Sequence, residues 1–301
     1  MSTAALAAGG VGARVRDYIA LTKPNVMSLL LFTTLMAMLI AAGGLPPLLL
    51  VLWTMIGGAL AAGASGAMNM YFDRDIDAAM TRTRTRPVPA GRIAPMHALA
   101  FGVVLAIASF VVLAAEVNLL AALLALTGIL IYVGVYTLWL KRTSVQNIVI
   151  GGAAGAIPPL VGWAAVTGRL DVTALLLFLI IFVWTPPHFW ALALIAKNEY
   201  AKVGVPMMPV IRGDQTTKRH ILAYSIALVA LTLALTPLHV MGTFYLACAL
   251  LLGVLFIVLA VRVAREGSIA AERAMYKFSM LYLALLFGAM VIDRFGHGPA
   301  A

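Results

Sequence analysis

The chain has 301 residues, of which 63% are hydrophobic and only 11% charged, against about a quarter charged in an ordinary soluble domain. A water-soluble globular fold is therefore excluded. The net charge of +10 would suit nucleic acid, but the charges cluster between long uncharged stretches, the pattern of a membrane protein and not of a nucleic-acid binder. The single cysteine, Cys248, excludes an internal disulfide framework and a cysteine metal site.

Met1 to Gly12 is rich in small residues and lacks a basic start followed by an apolar core, so it reads as a loose cytosolic tail and not a secretory signal. Charge-free windows then follow at about 26–43, 47–69, 96–115, 118–139, 145–165, 173–195, 221–236, 239–261 and 277–293. The seventh is short. With the N-terminus inside, nineteen Lys and Arg residues fall on inner segments, and only Arg169 and Arg294 fall outside, as the bias of basic residues towards the cytoplasm requires. The expected architecture is an all-α membrane protein, a bundle of about nine transmembrane helices with a cytosolic N-terminus and an external C-terminus. Residues 1–15 read as a flexible tail, 16–295 as a single transmembrane domain and 296–301 as a C-terminal tail. The inner loops after the second and sixth spans are long and polar, which places any chemistry on the cytosolic face.

The second span ends Asn69-Met-Tyr-Phe-Asp73-Arg-Asp75-Ile-Asp77. Residues four apart on a helix lie only about 40° around and about 6 Å further along, so Asn69, Asp73 and Asp77 face one way and Asp75 nearly the opposite. Two like charges one turn apart repel on a bare helix. A bridging cation resolves that repulsion, and Mg²⁺ is held by one or two carboxylates plus waters and substrate phosphates. Arg82, Arg84 and Arg86 follow at once, and guanidinium forks match phosphate oxygens. A carboxylate pair next to an arginine stretch suits a diphosphate leaving group.

The sixth span ends Trp184-Thr-Pro-Pro-His188-Phe-Trp190. A double proline removes backbone donors near the inner end of the span, and an ionisable residue such as His188 inside a membrane segment is a functional candidate. The loop beyond supplies Glu199 and Asp214 on the same side as the first acids, so two acidic sites are expected to face one cavity. The glycines of the fifth span, Gly151, Gly152, Gly155 and Gly162, read as close helix packing.

The acidic segment 69–77 with Arg84-Thr-Arg-Pro87 resembles the protoheme IX farnesyltransferases, a branch of the UbiA-type intramembrane prenyltransferase superfamily. The blocks Asp17 to Pro24, Tyr136 to Arg142, Asn147 to Trp163, Trp184 to Trp190 and Gly204 to Val210 agree, in order, so the resemblance runs from about 17 to 293. It departs at the second acidic site, where the superfamily has an aspartate pair, the haem branch usually offers Asp-Tyr and this chain has Glu199-Tyr200. The resemblance implies transfer of a farnesyl group from farnesyl diphosphate to a vinyl group of haem b, giving haem O, in a bacterial cytoplasmic membrane. It implies Asn69, Asp73, Asp77 and Glu199 as catalytic residues, with Asp73, Asp77 and Glu199 as ligands to Mg²⁺. It assigns Arg82, Arg84, Arg86, Lys141 and Arg142 to the diphosphate. His188 is the candidate for holding haem, at the iron or by a propionate, and Tyr200 is expected to be a further substrate residue. A downstream haem-modifying or oxidase-assembly protein is the implied partner. The alternatives are a quinone-type aromatic acceptor, or an ion-coupled transporter in which Asp73, Asp77 and His188 form an ion path.

Overall fold

Backbone N–H and C=O groups in hydrocarbon find no water, so an apolar segment crossing a membrane must close its hydrogen bonds internally. The computed structural model describes residues 10–297, and the segments do so as helices, with no strand among the described residues. In chain order these are α1 (Val11–Leu21), α2 (Pro24–Ala42), α3 (Leu48–Phe72), α4 (Arg74–Ala79), α5 (Pro95–Glu116), α6 (Leu119–Leu130), a π-helical segment (Ile131–Leu140) and α7 (Lys141–Thr143). They continue with α8 (Asn147–Thr167), α9 (Val172–Ile195), α10 (Lys197–Lys202), α11 (Met208–Ile211), α12 (Asp214–Ala234), α13 (Thr243–Glu266) and α14 (Ile269–His297).

Among the described residues, eight helices are long and apolar enough to cross a membrane, with α6, the π-helical segment and α7 counting as one. The seventh window of the sequence lies in α12, which is 21 residues long but opens on Asp214, Lys218 and Arg219 and is not among the eight. α1 begins at Val11, inside the stretch expected to be a tail. Residues 1–9 and 298–301, which hold the rest of both expected tails, lie outside the described residues.

Several polar side chains close helix ends. Asn118 and Asp171 accept from the N–H groups of Ala121 (2.8 Å) and Ala174 (3.1 Å). Asp293 of α14, buried, accepts from Gly242 N–H (2.6 Å) and Tyr245 N–H (3.0 Å), capping the first turn of α13. Each satisfies donors that a helix start leaves open. The double prolines of α8 and α9 stay inside continuous helices. Thr185 donates to the carbonyl of Ile181 (2.8 Å) beside one pair, and the Thr34 hydroxyl of α2, shared between the carbonyls of Leu30 (2.9 Å) and Pro158 (3.3 Å), lies at the other.

α8 and α9 are the most buried spans. α8 packs on α2, α6 and α9, and α9 packs on α12 and α14 as well. Glycine makes the α2–α8 approach possible, because a Cβ at Gly162 would collide with the carbonyl oxygen of Thr34. Outward faces stay apolar, as at Val104, Ile107, Leu251 and Val258, which suits a lipid solvent.

Gly162→Ala is expected to destabilise the protein by about 1–3 kcal/mol through forced separation of α2 and α8. Gly155→Ala, whose new methyl meets only open space, is expected to be neutral or stabilising. Thermal unfolding of both variants in detergent checks the contrast; equal loss in the two would contradict the packing assignment.

Candidate active site

One end of the bundle gathers the last turn of α3, α4, the loop 80–94, α7, α10 and the start of α2. Below it a cavity of about 760 Å³ runs between α2, α3, α6, α8, α9 and α14, with walls that are mostly apolar. The carboxylates lie behind its wall, joined to it through Lys23, which lines the cavity and bonds Asn69. Asp73 is fully buried at the junction of α3 and α4, and Asp77, 2% exposed, lies one turn on.

A carboxylate without solvent needs compensating charge and hydrogen bonds. Asp73 Oδ2 accepts from Asn69 Nδ2 (2.7 Å) and pairs with Lys141 Nζ. Asp77 Oδ2 pairs with Arg86 (2.7 Å). Asn69 uses its amide fully: Nδ2 also donates to Thr137 Oγ1 (3.0 Å), and Oδ1 accepts from Lys23 Nζ. The π-helical segment makes this possible. Its wider winding lets Thr137 donate to the carbonyl of Tyr132, five residues back (2.8 Å), while Tyr132 and Tyr136 line the cavity. Such segments recur at functional positions.

Asp75 faces away, as the helical spacing requires. Arg142 grips it with both guanidinium arms (2.7 Å each), which holds its carboxyl down at about 2, and also donates to the carbonyl of Phe72 (2.9 Å). This exposed fork seats α7 against the end of α3. The loop of arginines is folded, not loose. Thr83 donates to the carbonyl of Asp77 (3.0 Å), Arg92 bonds both oxygens of Asp17 on α1 (3.0 and 3.1 Å), and Val88 and Ile93 pack with Leu21, Ala67, Met70 and Ala98.

The acids fit a divalent cation. Asp73 Oδ1 is buried with no hydrogen-bond partner, and Arg142 Nη2 is 3.9 Å from it. An anionic oxygen left open beside a second carboxylate is the donor type a hard cation takes. Asp73 and Asp77 would hold it, with Asn69 orienting Asp73.

The sequence expectations divide at this point. Asn69, Asp73, Asp77, Arg86 and Lys141 form one linked cluster, and Arg82 and His188 line the cavity beneath it. Arg84 is exposed and outside the lining, and Tyr200 packs against the core, not into the cavity. Glu199 Oε2 accepts from the backbone N–H of Thr81 (2.7 Å), so it fastens α10 to the arginine loop, and no three acids or histidines among the described residues make a metal-holding group. Asp214 likewise pairs with Lys197 (2.8 Å).

Lys23 was not singled out by the sequence. It sits between α1 and α2 with φ 54°, an uncommon conformation for a side-chain-bearing residue, and reaches Asn69 while facing the ring of Tyr132 (5.9 Å). Burial, with Arg86 and Lys141 nearby, pushes its ammonium down to about 7. An added anion would favour its charged form. The available signal was a lone lysine directly before the proline that opens a span.

The sequence profile described as the UbiA prenyltransferase family matches residues 30–286. A protoheme IX farnesyltransferase of Roseiflexus sp. (strain RS-1) is 56% identical over 280 residues, covering 93% of this chain and 52% of that relative. One from Symbiobacterium thermophilum is 55% identical, covering 94% of this chain and 95% of that relative. The chain thus spans about half the length of some curated relatives and nearly all of another. A digeranylgeranylglyceryl phosphate synthase structure superposes with a TM-score of 0.79 at 19% identity, covering 94% of this chain and 99% of that one. A UbiA homolog from Archaeoglobus fulgidus bound to DMAPP and Mg²⁺ superposes with a TM-score of 0.66 at 18% identity, covering 91% and 99%.

Lys141→Met strands the buried Asp73 charge and is expected to cost about 3 kcal/mol of stability. In an Asp73→Asn background the same change is expected to cost far less. A double-mutant cycle by thermal unfolding checks this, and an equal cost in both backgrounds would contradict the pairing.

Proposed function

This chain belongs to the UbiA prenyltransferase family, and from that premise we propose that it transfers a farnesyl group from farnesyl diphosphate to a vinyl group of haem b, making haem O. The observation that carries the prenyl-transfer reading is Asp73, buried with one oxygen unpartnered and paired with Lys141, in a cluster that includes the Asp77–Arg86 pair and is joined through Asn69 to Lys23, which lines the apolar cavity together with Arg82. The haem acceptor is supported by relatives 52–57% identical, named as protoheme IX farnesyltransferases. The excess of Lys and Arg at this end of the bundle supports a cytosolic site in a bacterial inner membrane.

In this reading the farnesyl chain lies in the cavity and its diphosphate at the head. Lys23, Arg82, Arg86 and Lys141 contact the phosphate oxygens, by charge-assisted bonds that strengthen as negative charge builds on the leaving group. Magnesium held at Asp73 and Asp77 would supply further positive charge to the departing diphosphate. The allylic C–O bond breaks with its electron pair leaving on diphosphate. The vinyl π pair of the acceptor forms the new C–C bond, and water adds to the carbon left electron-poor, losing a proton, to give the hydroxyethylfarnesyl group. Until the C–C bond forms, the apolar walls keep water from the allylic cation. Arg142 and Asp75 position α7, and through it Lys141, without touching substrate. Residues 16–295 act as one transferase domain, whose product passes to a haem-modifying or oxidase-assembly protein.

Purified protein with haem b, farnesyl diphosphate and Mg²⁺ is expected to yield a haem heavier by one farnesyl group and one water, by mass spectrometry, and to yield none with chelator. Asp73→Asn is expected to lower turnover by about a thousandfold, whereas Asp75→Asn stays within about tenfold, since an exposed pair contributes about 1 kcal/mol or less. Equal losses in the two variants, or unaltered haem with wild-type protein, would contradict the reading.

A further inference from the structure

His188, 6% exposed, lies in the part of the cavity wall supplied by α9 and α14. Its ring is fixed on its faces and edge. It stacks on Trp184 (4.4 Å between centroids, 18° between planes) and on Tyr276 (4.8 Å, 26°), and Phe189 meets it edge-on (4.9 Å). Its Nδ1 lies 2.7 Å from Ser279 Oγ. A serine hydroxyl has one proton to donate. Ser279 gives it to the carbonyl oxygen of Tyr276, 2.7 Å away. Towards His188 it can therefore only accept, so Nδ1 carries the imidazole hydrogen. α14 is held in this register by a second bond, from Trp184 Nε1 to the carbonyl of Ser279 (2.8 Å).

The lone pair of the neutral ring is thereby left on Nε2, which has no hydrogen-bond partner among the described residues. An ionised propionate has no proton to give it, so a carboxylate-reading role does not suit this tautomer. A metal does: metal-bound histidines characteristically donate their other ring N–H to an oxygen acceptor, which fixes ring orientation and raises ligand basicity. We propose that His188 Nε2 is the protein ligand to the iron of the metalloporphyrin acceptor, and that Ser279 is a positioning residue that holds His188 in the ligating tautomer. The proposal rests on the reading that the acceptor is a haem.

The test uses the full chain in detergent with ferric protohaem IX and metal-free protoporphyrin IX as probes, followed by absorption and electron paramagnetic resonance. Wild type is expected to bind protohaem at least tenfold more tightly than the metal-free porphyrin, with the signature of a nitrogen-ligated iron. His188→Ala is expected to lose that preference and that signature while still binding farnesyl diphosphate, and added imidazole is expected to restore the signature. Ser279→Ala is expected to shift the ferrous iron–histidine stretch in resonance Raman, and Ser279→Thr to return it; this arm decides the matter if His188→Ala fails to fold. An unchanged iron signature in His188→Ala, or a stretch identical in Ser279→Ala and wild type, overturns the proposal and leaves the prenyltransferase reading standing. A wild-type protein that binds farnesyl diphosphate but neither porphyrin overturns the haem acceptor itself.

Discussion

The burial of the Asp73 carboxylate is the constraint around which this end of the bundle is built. An ionised acid with no exposure, at the end of a helix that runs through apolar surroundings, is stable only when charge and hydrogen bonds surround it. Those partners come from three separate parts of the chain. Asn69 lies one turn back on α3, Lys141 arrives at the end of the π-helical segment, Arg142 approaches from beside it, and Lys23 reaches in from the start of α2 through Asn69. Arg86 does for Asp77 what Lys141 does for Asp73. The surrounding contacts serve to deliver these groups. The Arg142–Asp75 fork seats α7, the Arg92–Asp17 pair fixes the arginine loop to α1, and Glu199 ties the same loop to α10.

The same cations that neutralise the acids are suited to receive a diphosphate. Oriented donors held in place before the ligand arrives need little reorganisation when charge develops, which is where electrostatic catalysis gains most. The cluster is thus balanced internally, yet one buried oxygen of Asp73 stays open. Below it the lining changes to apolar side chains and glycines, and at the α9–α14 wall to a stack of aromatic rings around His188.

Much of this was legible in the sequence, for reasons of periodicity and charge. The uncharged windows locate the long helices to within a few residues at most ends, because apolar runs bounded by charge have one physical solution in lipid. The seventh and ninth are the exceptions in extent: α12 begins at Asp214 and α14 at Ile269, both earlier than their uncharged windows, and Lys218 and Glu272 are buried at these charged helix starts, with Lys218 near Gly267. The four-residue spacing placed Asn69, Asp73 and Asp77 on one face and Asp75 on the other. Less could be read where contacts are distant in sequence. Glu199 accepts from a backbone N–H 118 positions away, a contact that no local pattern marks. Lys23 was absorbed into the count of cytosolic basic residues, and its left-handed backbone just before Pro24 carries no compositional mark. The π-helical winding that brings Thr137 to Asn69 follows from the local hydrogen-bond pattern, which a run of apolar residues does not encode.

The central claim is that the open oxygen of Asp73 is the metal position and that its neighbouring cations take the diphosphate. The most direct measurement is an experimental structure of the protein with Mg²⁺ and a non-hydrolysable thiolo analogue of farnesyl diphosphate. The account predicts a metal at about 2.0–2.1 Å from Asp73 Oδ1, with Lys141, Arg86 and Lys23 on the phosphate oxygens and the hydrocarbon chain in the cavity. A diphosphate bound away from α4, with the Asp73–Lys141 pair intact and no metal on either acid, would contradict it.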